Sequence, residues 1–302
     1  IHTHRPAGQI LIAMMKLAFI TDEATQSLAE AIAFAKRHEL DGVELRSVDG
    51  LPIDQIPQST LLSYRKALDN AGLRVCNLAG SFYKSKPQER DAELEKLVRL
   101  CDAADILGCD TIRGFAFFAP TSGPEITKET LAAFPPAIEL LTKRGKQLLL
   151  EADPSVNTTN HAALAELLRR LDSPALGAIY DPGNHIYDPL HEVPYPDGYE
   201  AVRPWLRHVH IKDAALDADG NPQCVCIGTG AVDYPRLLRA LLQDGYQGWL
   251  SLETHYRKNA VISEALMRQP GGAAFSEGGL AATAESIDAL RTLLAQAKED
   301  FT

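Results

Sequence analysis

The sequence predicts an α/β fold, a single-domain (β/α)8 TIM barrel, on two observations. Short apolar segments alternate with longer amphipathic ones along the 302 residues, which is the pattern of parallel strands and their covering helices. The short segments are almost continuously apolar, as strands are when both faces of a sheet are buried. A doubly wound open sheet is the alternative, but Ile20-Thr21-Asp22-Glu23 after the first strand is not the glycine-rich turn of that fold.

Turn-forming residues bound the predicted elements. The predicted strands cover residues 16–21, 42–46, 74–79, 111–117, 147–152, 177–181, 208–212 and 249–254. The predicted helices cover residues 27–39, 59–71, 89–107, 129–144, 161–171, 233–243 and 282–298. Gly72, Gly108, Gly145 and Gly245 follow helices, where a left-handed residue commonly ends them. The pair Pro135-Pro136 predicts a break or a kink in the helix over 129–144, with its second half starting at the prolines.

The predicted catalytic domain covers residues 15–302, and residues 1–14 are predicted to be an N-terminal extension. Met14-Met15-Lys16 is typical of a natural start, so we interpret 1–14 as upstream or vector-derived sequence. Its apolar stretch is too short for the usual core of a secretion signal. Residues 257–279 are predicted to form a long loop after the eighth strand, as a lid or a subunit contact in a homo-oligomer.

Composition excludes several classes of protein. A net charge of −10 provides no basic surface for nucleic acid. The 45% hydrophobic content is ordinary for a globular enzyme, and no apolar run is long enough to span a membrane. The 5 cysteines show neither zinc-finger spacing nor a disulfide framework, so we interpret them as reduced thiols of a cytoplasmic protein.

An acidic or imidazole side chain ends each of the last four predicted strands. These residues are Glu151, Asp181, His210 and Glu253. In a parallel barrel the carboxyl ends of all strands open on one face, so the four side chains should converge there. Buried carboxylates without partners are costly, and this mainly oxygen ligand set suits a divalent cation. The sequence therefore predicts one divalent metal ion, with Mn²⁺ expected and Mg²⁺, Co²⁺ or Zn²⁺ as alternatives.

Glu151 and Glu253 are the predicted catalytic residues. They lie on strands three apart in a ring of eight, so they can flank a bound substrate. One glutamate would remove a proton from carbon and the other would return one, while the metal stabilises the enediolate between these steps. This chemistry predicts an isomerase or epimerase of a small-molecule sugar or polyol.

Further side chains near the same strand ends are predicted to bind the substrate. They are Glu44, Arg46, Arg113, Asn184, His185, Lys212 and His255. Several have a structural alternative. Glu44 and Arg46 share a strand face and could pair inside the barrel, and Arg113 could form an ion pair with Glu151. His255 could be a solvated loop residue.

A neutral polyol or keto-sugar is the expected substrate, in preference to a polyphosphate. The chain is acidic, and Gly228-Thr229-Gly230 lacks the lysine that follows the glycines of a P-loop, so a tight turn is favoured. The alternative is that Arg46, Lys212 and Arg113 together hold a single phosphate.

Several short motifs, in the same order along the chain, resemble the sugar phosphate isomerase/epimerase family of the xylose-isomerase-like TIM barrel superfamily. They are Val43-Glu44-Leu45-Arg46, Leu150-Glu151, Asp181-Pro182-Gly183-Asn184, His208-Val209-His210-Ile211-Lys212-Asp213, Gly228-Thr229-Gly230-Ala231-Val232-Asp233-Tyr234 and Leu252-Glu253. The resemblance covers roughly residues 15–297. It implies a TIM barrel in which Glu151, Asp181, His210 and Glu253 are the metal ligands.

The resemblance extends to the ketose 3-epimerases, whose two acid/base glutamates match Glu151 and Glu253. Those enzymes carry a histidine three residues after the aspartate, whereas this chain has Asn184 followed by His185. The resemblance therefore does not fix the substrate.

Other functions are compatible with parts of the same pattern. A metal-dependent dehydratase or lyase acting on a keto-sugar or keto-inositol would use the same metal and one glutamate. An abasic-site endonuclease needs histidines on strands two and three, where this chain has Arg46 and Asn77. A non-catalytic sugar-binding protein is the alternative from another class, and a full ligand set argues against it.

Overall fold

A computed structural model of the chain describes residues 15–121, 123–258, 260, 262, 263, 266 and 270–300. In these residues, parallel strands form a nearly closed barrel with helices around it, so the predicted TIM barrel is confirmed. The barrel strands are β1 (Lys16–Phe19), β2 (Gly42–Leu45), β3 (Arg74–Phe82), β4 (Thr111–Gly114), β5 (Gln147–Glu151), β6 (Leu176–Tyr180), β7 (Leu206–Ile211) and β8 (Trp249–Leu252).

Helices connect the strands along the outside. They are α1 (Leu28–Arg37), α2 (Gln58–Ala71), α3 (Arg90–Leu107), α4 (Lys128–Arg144), α5 (His161–Leu171), α6 (Tyr199–Val202), α7 (Tyr234–Gln243), α8 (Gly272–Ser276) and α9 (Gly279–Glu299). Short 3-10 turns are Thr21–Glu23, Ile53–Gln55, Pro87–Glu89, Pro182–Tyr187 and Arg203–Trp205, and a distorted turn covers Pro194–Gly198. Two small hairpins pair Ser47–Val48 with Leu51–Pro52, and Asp213–Leu216 with Pro222–Val225.

Hydrogen-bonded ladders join every neighbouring pair of barrel strands from β2 through β8 to β1. At the remaining seam, between β1 and β2, the described residues make one isolated parallel bridge, Ile20 with Glu44. The strands are buried on both faces, as the near-continuous apolar pattern predicts. The carboxyl ends of β5 to β8 therefore open on a single face, which fixes where their terminal side chains meet.

Local sequence signals account for the helix ends. The side chains of Ser27 and Asn160 accept hydrogen bonds from the first turns of α1 and α5, as N-cap residues do. Gly72, Gly108 and Gly145 end α2, α3 and α4 in the left-handed conformation that was predicted for them.

The predicted break at Pro135-Pro136 is wrong, because α4 continues through both prolines. The two prolines lie on the exposed face of the helix, while their neighbours Phe134 and Ala137 are buried against the core. The carbonyl groups that lose a partner belong to the half-buried Leu131 and the exposed Ala132, which solvent can reach. Packing of the buried face then holds the helix together.

Two of the predicted segments lie wholly or partly outside the described residues. The proposed extension 1–14 lies outside the described residues, and so do residues 259, 261, 264, 265 and 267–269 of the segment 257–279. The described part of that segment is not loop throughout, because it contains α8, whose Phe275 is buried. Among the helices that the structure describes, none has the length and apolar character of a transmembrane span.

Candidate metal centre

The four strand-end residues lie together at one end of the barrel. Glu151, Asp181, His210 and Glu253 each offer a ligand atom within 4.8 Å of the others. All four side chains are buried, with residue exposures of 3% or less. Glu151 and His210 are the last or nearly last residues of their strands, whereas Asp181 and Glu253 come one residue after theirs. The convergence follows directly from the parallel strand order.

Glu151 is surrounded by donors from three directions. Arg113 Nη1 donates to its Oε2 over 3.0 Å, and Asn184 Nδ2 donates to its Oε1 over 3.2 Å. His210 Nδ1 lies 3.4 Å from the same Oε1. Burial and the charge of Glu253 oppose ionisation of Glu151, yet Arg113 and His210 outweigh both and lower its pKa. Glu151 is therefore held as a carboxylate.

Lys212 bridges the other two carboxylates. Its Nζ lies 2.6 Å from Asp181 Oδ2 and 2.8 Å from Glu253 Oε2. Burial raises the pKa of Asp181 to about 8, because Lys212 offsets it only in part while Glu253 and Glu151 repel the charge. The Asp181 Oδ2 atom is buried without an aligned hydrogen bond among the described residues. This oxygen therefore faces the positive charge of Lys212 without a well-aligned hydrogen bond.

His210 is oriented from across the barrel. Its Nε2 donates to Glu44 Oε1 over 3.1 Å, which leaves Nδ1 facing the Glu151 and Glu253 carboxylates. Burial opposes a charge on His210, but Glu44 and Glu151 outweigh it and hold its pKa well above the usual value. A carboxylate that fixes the far nitrogen of a histidine is the usual support of a metal-binding imidazole.

Arg46 holds a second group of acids beside the cluster. It donates to both carboxylate oxygens of Asp22 over 3.1 Å and to Glu23 Oε1 over 2.7 Å. Its Nη1 also donates to Glu253 Oε1 over 3.1 Å. Glu23 in turn lies 3.0 Å from His255 Nδ1. This network, rather than a free guanidinium, is what the structure shows at the predicted substrate-binding position Arg46.

The other predicted substrate-binding residues divide into two groups. Arg113, Asn184 and Lys212 all contact the four-residue cluster, as described above. Glu44 accepts a hydrogen bond from the far side of the His210 ring. The ring of His255 packs against Phe275 at a centroid distance of 5.2 Å. His185 forms a short hydrogen bond with the Pro182 carbonyl of its own turn. The substrate contacts of these residues stay predictions.

Sequence reasoning missed the residues that support the ligands. Asp22 and Glu23 are fully buried and follow β1, so the strand-end rule that identified the ligands would also have identified them. Asn77 donates to Glu44 Oε1 over 2.8 Å, and His208 Nε2 donates to Glu44 Oε2 over 3.0 Å. The contacts of Asn77 and His208 become visible only when β2, β3 and β7 are placed around one interior.

The arrangement fits a divalent cation. Six carboxylates are buried around this centre, and among the described residues three lysine or arginine side chains form ion pairs with them. The carboxylates are Asp22, Glu23, Glu44, Glu151, Asp181 and Glu253, and the cations are Arg46, Arg113 and Lys212. A cation of charge +2 within the four-residue cluster would favour the ionised form of Asp181 and the neutral form of His210, and the oxygen-rich donors suit Mn²⁺ or Mg²⁺.

A second group of side chains beside this cluster could also offer metal ligands. Glu23, Glu253 and His255 also offer ligand atoms within 4.8 Å of one another. Arg46 already lies between the two glutamates, so this group has its positive charge from the chain itself. The four-residue cluster also contains a cation of the chain, Lys212, but it offers four ligand atoms instead of three, so it is the stronger candidate for a metal.

Comparisons with known proteins agree on the architecture. A protein-family model described as xylose isomerase-like TIM barrel matches residues 32–293. No curated protein matches the chain in sequence.

Solved structures of similar fold come from several bacteria. D-allulose 3-epimerase from Methylomonas sp. in complex with D-allulose has 18% identity and a TM-score of 0.67, over 92% of this chain and 96% of that chain. The probable 3-DHS dehydratase of petrobactin synthesis from Bacillus anthracis has 19% identity and a TM-score of 0.68, over 92% and 99%. A xylose isomerase-like protein from Mycobacterium smegmatis in complex with magnesium has 17% identity and a TM-score of 0.66, over 94% and 97%. At such identities the likeness establishes the fold.

Proposed function

The chain belongs to the xylose isomerase-like TIM barrel family, and from that premise we propose that it is a divalent-metal-dependent isomerase or epimerase of a sugar or sugar derivative. The observation that carries the proposal is the convergence of Glu151, Asp181, His210 and Glu253 within 4.8 Å. These residues would hold one ion, for which we propose Mn²⁺. When bound, the cation would polarise a substrate carbonyl and stabilise the negative charge that proton removal leaves on the substrate.

Two glutamates would move the proton. Glu151 on β5 and Glu253 after β8 come from strands three apart in the barrel, so each could face one side of a substrate carbon. One carboxylate takes the proton, the electron pair of the C–H bond enters the enediolate, and the other carboxyl group returns a proton. Return to the opposite face of the same carbon gives an epimer, and return to the neighbouring carbon gives an isomer.

The cationic side chains would position these glutamates. Arg113 bonds Glu151, Lys212 lies between Asp181 and Glu253, and Arg46 reaches Glu253. Such ion pairs fix each carboxylate in one rotamer, which proton transfer to carbon requires. Because each cation already has a carboxylate partner, none is left over for a phosphate group.

A neutral polyol or keto-sugar is therefore the proposed substrate. The turn Gly228-Thr229-Gly230 supports this, because the N–H groups of Gly228 and Gly230 both donate to Asp213 Oδ2 over 2.9 Å. A side chain on Gly230 would collide with the Asp213 carboxylate, its Cβ lying 2.2 Å from Oδ1. The Asp213 carboxylate thus occupies the two N–H groups of this turn that could otherwise bind a phosphate.

A dehydratase or lyase is the second candidate, and Asn184 favours it. The asparagine occupies the position of the epimerase histidine and donates to Glu151, so the pocket has one protonatable group fewer there. A dehydratase needs the same proton abstraction, followed by loss of an oxygen on the adjacent carbon. One similar structure is a probable dehydratase.

Solvent deuterium exchange tests the proposal. Protein loaded with Mn²⁺ would be incubated in D₂O with a panel of ketoses, keto-inositols and their phosphates. An isomerase or epimerase is expected to place deuterium on carbon and to prefer the unphosphorylated compound. Loss of water from a substrate would instead establish the dehydratase. Sugar binding with neither exchange nor loss of water in any compound would contradict both and leave a sugar-binding protein.

A further inference from the structure

A second group of ligand-type side chains lies deeper in the barrel and shares none of the four residues above. Glu44, Cys76 and His208 each offer a ligand atom within 4.8 Å of the others, and all three are buried. Glu44 lies on β2, Cys76 on β3 and His208 on β7, two residues before His210 on the same strand. Two residues along a strand correspond to about 6–7 Å, so this group lies one layer below the candidate metal centre.

Glu44 differs from the other carboxylates at this end of the barrel because imidazoles, and no lysine or arginine in the described residues, balance its charge. The residue is 0% exposed, and no lysine or arginine in the described part of the chain forms an ion pair with it. Its partners are the amide of Asn77 and the imidazoles of His208 and His210. If His210 binds a metal as a neutral ligand, only His208 is left to bring positive charge to this carboxylate.

We propose that Glu44, Cys76 and His208 form a second, sulfur-containing metal site that binds Zn²⁺ or Co²⁺. A thiolate, an imidazole and a carboxylate are the three ligand types that zinc takes, and three protein ligands leave a position for water. Borderline and soft ions prefer this set, whereas Mn²⁺ and Mg²⁺ prefer the oxygen-rich cluster above it. The two sites therefore differ in the metal that they select.

A cavity provides the path to this site. It has a volume of about 340 Å³, and its lining includes Cys76, Cys109 and His208. Its other lining residues include Arg74 and Trp249, the first residues of β3 and β8, so it lies at the amino-terminal end of the barrel. An ion can thus enter from the face opposite the candidate catalytic centre, and water in the cavity can complete its coordination.

Binding would exchange a proton for the ion. Burial holds the pKa of the Cys76 thiol well above its usual value, so the group carries its proton in the absence of a metal. A coordinated cation displaces that proton to the solvent and leaves a thiolate. Glu44 would then link the two centres, since its Oε2 faces His208 while its Oε1 accepts from His210.

Cobalt absorption tests the site without any assay of activity. Metal-free protein would be titrated with Co²⁺, and a near-ultraviolet sulfur-to-cobalt charge-transfer band is expected, because the four-residue cluster contains no sulfur. The variant Cys76→Ser should lose this band and one of two bound Co²⁺ equivalents. The matched control is Cys109→Ser. Cys109 is a buried cysteine of the same cavity whose thiol bonds the Thr111 carbonyl, and this variant should keep the band and both Co²⁺ equivalents.

The wild-type protein provides an independent measurement in case Cys76→Ser fails to fold. Zinc X-ray absorption should show a sulfur neighbour at about 2.3 Å. One bound equivalent with only nitrogen and oxygen neighbours would overturn the proposal and leave the four-residue centre intact. Persistence of the band in Cys76→Ser, or its loss in Cys109→Ser, would also overturn it.

Discussion

The two halves of the barrel contribute differently to the candidate centre. Strands β5 to β8 each supply one member of the four-residue cluster, at the carboxyl end of the strand or one residue beyond it. Strands β1 to β4 supply none of them, but their side chains hold the cluster in place. Arg113 bonds Glu151, Arg46 bonds Glu253, and Glu44 bonds His210. The residues from β5 to β8 would bind the metal and react with the substrate, whereas those from β1 to β4 balance the charge of the cluster and fix its side chains. Substitutions in each half therefore test a different property.

The largest effect is expected in the second half. Glu151→Gln and Glu253→Gln keep the size of the side chain and remove its ability to take a proton, so turnover should fall by about 10²–10⁴-fold in each. The measurement is the rate of deuterium incorporation by the metal-loaded protein. Glu139→Gln, on the exposed face of α4, is the control and should be unaffected. Near-normal turnover in either active-site variant would make that glutamate structural.

In the first half, Arg46→Met should cost stability. It leaves Asp22, Glu23 and Glu253 without their shared cation in a buried environment, so the free energy of unfolding should fall by about 3–5 kcal/mol. Urea denaturation in the presence of a chelator measures this. The control Arg169→Met breaks an exposed pair with Glu166 and should cost at most about 1 kcal/mol. Equal costs in the two variants would show that the network does not hold the barrel.

A substitution of one ligand should separate metal binding from the rest of the pocket. His210→Ala removes the imidazole whose Nδ1 faces two carboxylates, so the bound Mn²⁺ and the increase in Tm that Mn²⁺ produces should both be lost. His185→Ala is the comparison, because that imidazole bonds the Pro182 carbonyl instead. It should keep its Mn²⁺. Unchanged Mn²⁺ content in His210→Ala would remove His210 from the ligand set.

The smallest effect is expected at Asn184, which touches Glu151 without carrying charge. Asn184→Ala removes one donor from Glu151, while Arg113 and His210 still hold that carboxylate. We expect KM to rise by about tenfold, the equivalent of one or two neutral hydrogen bonds, with a smaller fall in kcat. A collapse of kcat at unchanged KM would place Asn184 in the chemical step.

The residues of the four-residue cluster, from β5 to β8, can be predicted from the sequence because the end of a buried strand is visible in the sequence itself. An apolar run that stops at a carboxylate or imidazole is visible without any knowledge of packing, as at Glu151 and His210. The predicted strands mostly extend one or two residues beyond the observed ladders. At Asp181 and Glu253 the reason is that the polar side chain lies just after the last paired residue.

The supporting half is harder to predict because its partners are distant in the sequence. Arg46 and Glu253 are 207 positions apart, and Glu44 and His210 are 166 apart. A long arginine side chain at a strand end is equally consistent with a substrate contact and with an internal ion pair. Only the placement of β1 beside both β2 and β8 decides that Arg46 meets Asp22, Glu23 and Glu253.

The seam between β1 and β2 links the closure of the barrel to its charges. Elsewhere each strand is joined to its neighbour by a ladder, but here the described residues make a single bridge, Ile20 with Glu44. Arg46, just after β2, reaches across to Asp22 and Glu23, just after β1, so ionic contacts join the two edges where backbone pairing is sparse. Local opening at this seam requires those ion pairs to separate. The rate of amide hydrogen exchange in β1 and β2 should therefore change when the charges of Arg46, Asp22 or Glu23 change, although, in the part of the chain that the structure describes, these side chains do not hydrogen-bond the exchanging amides.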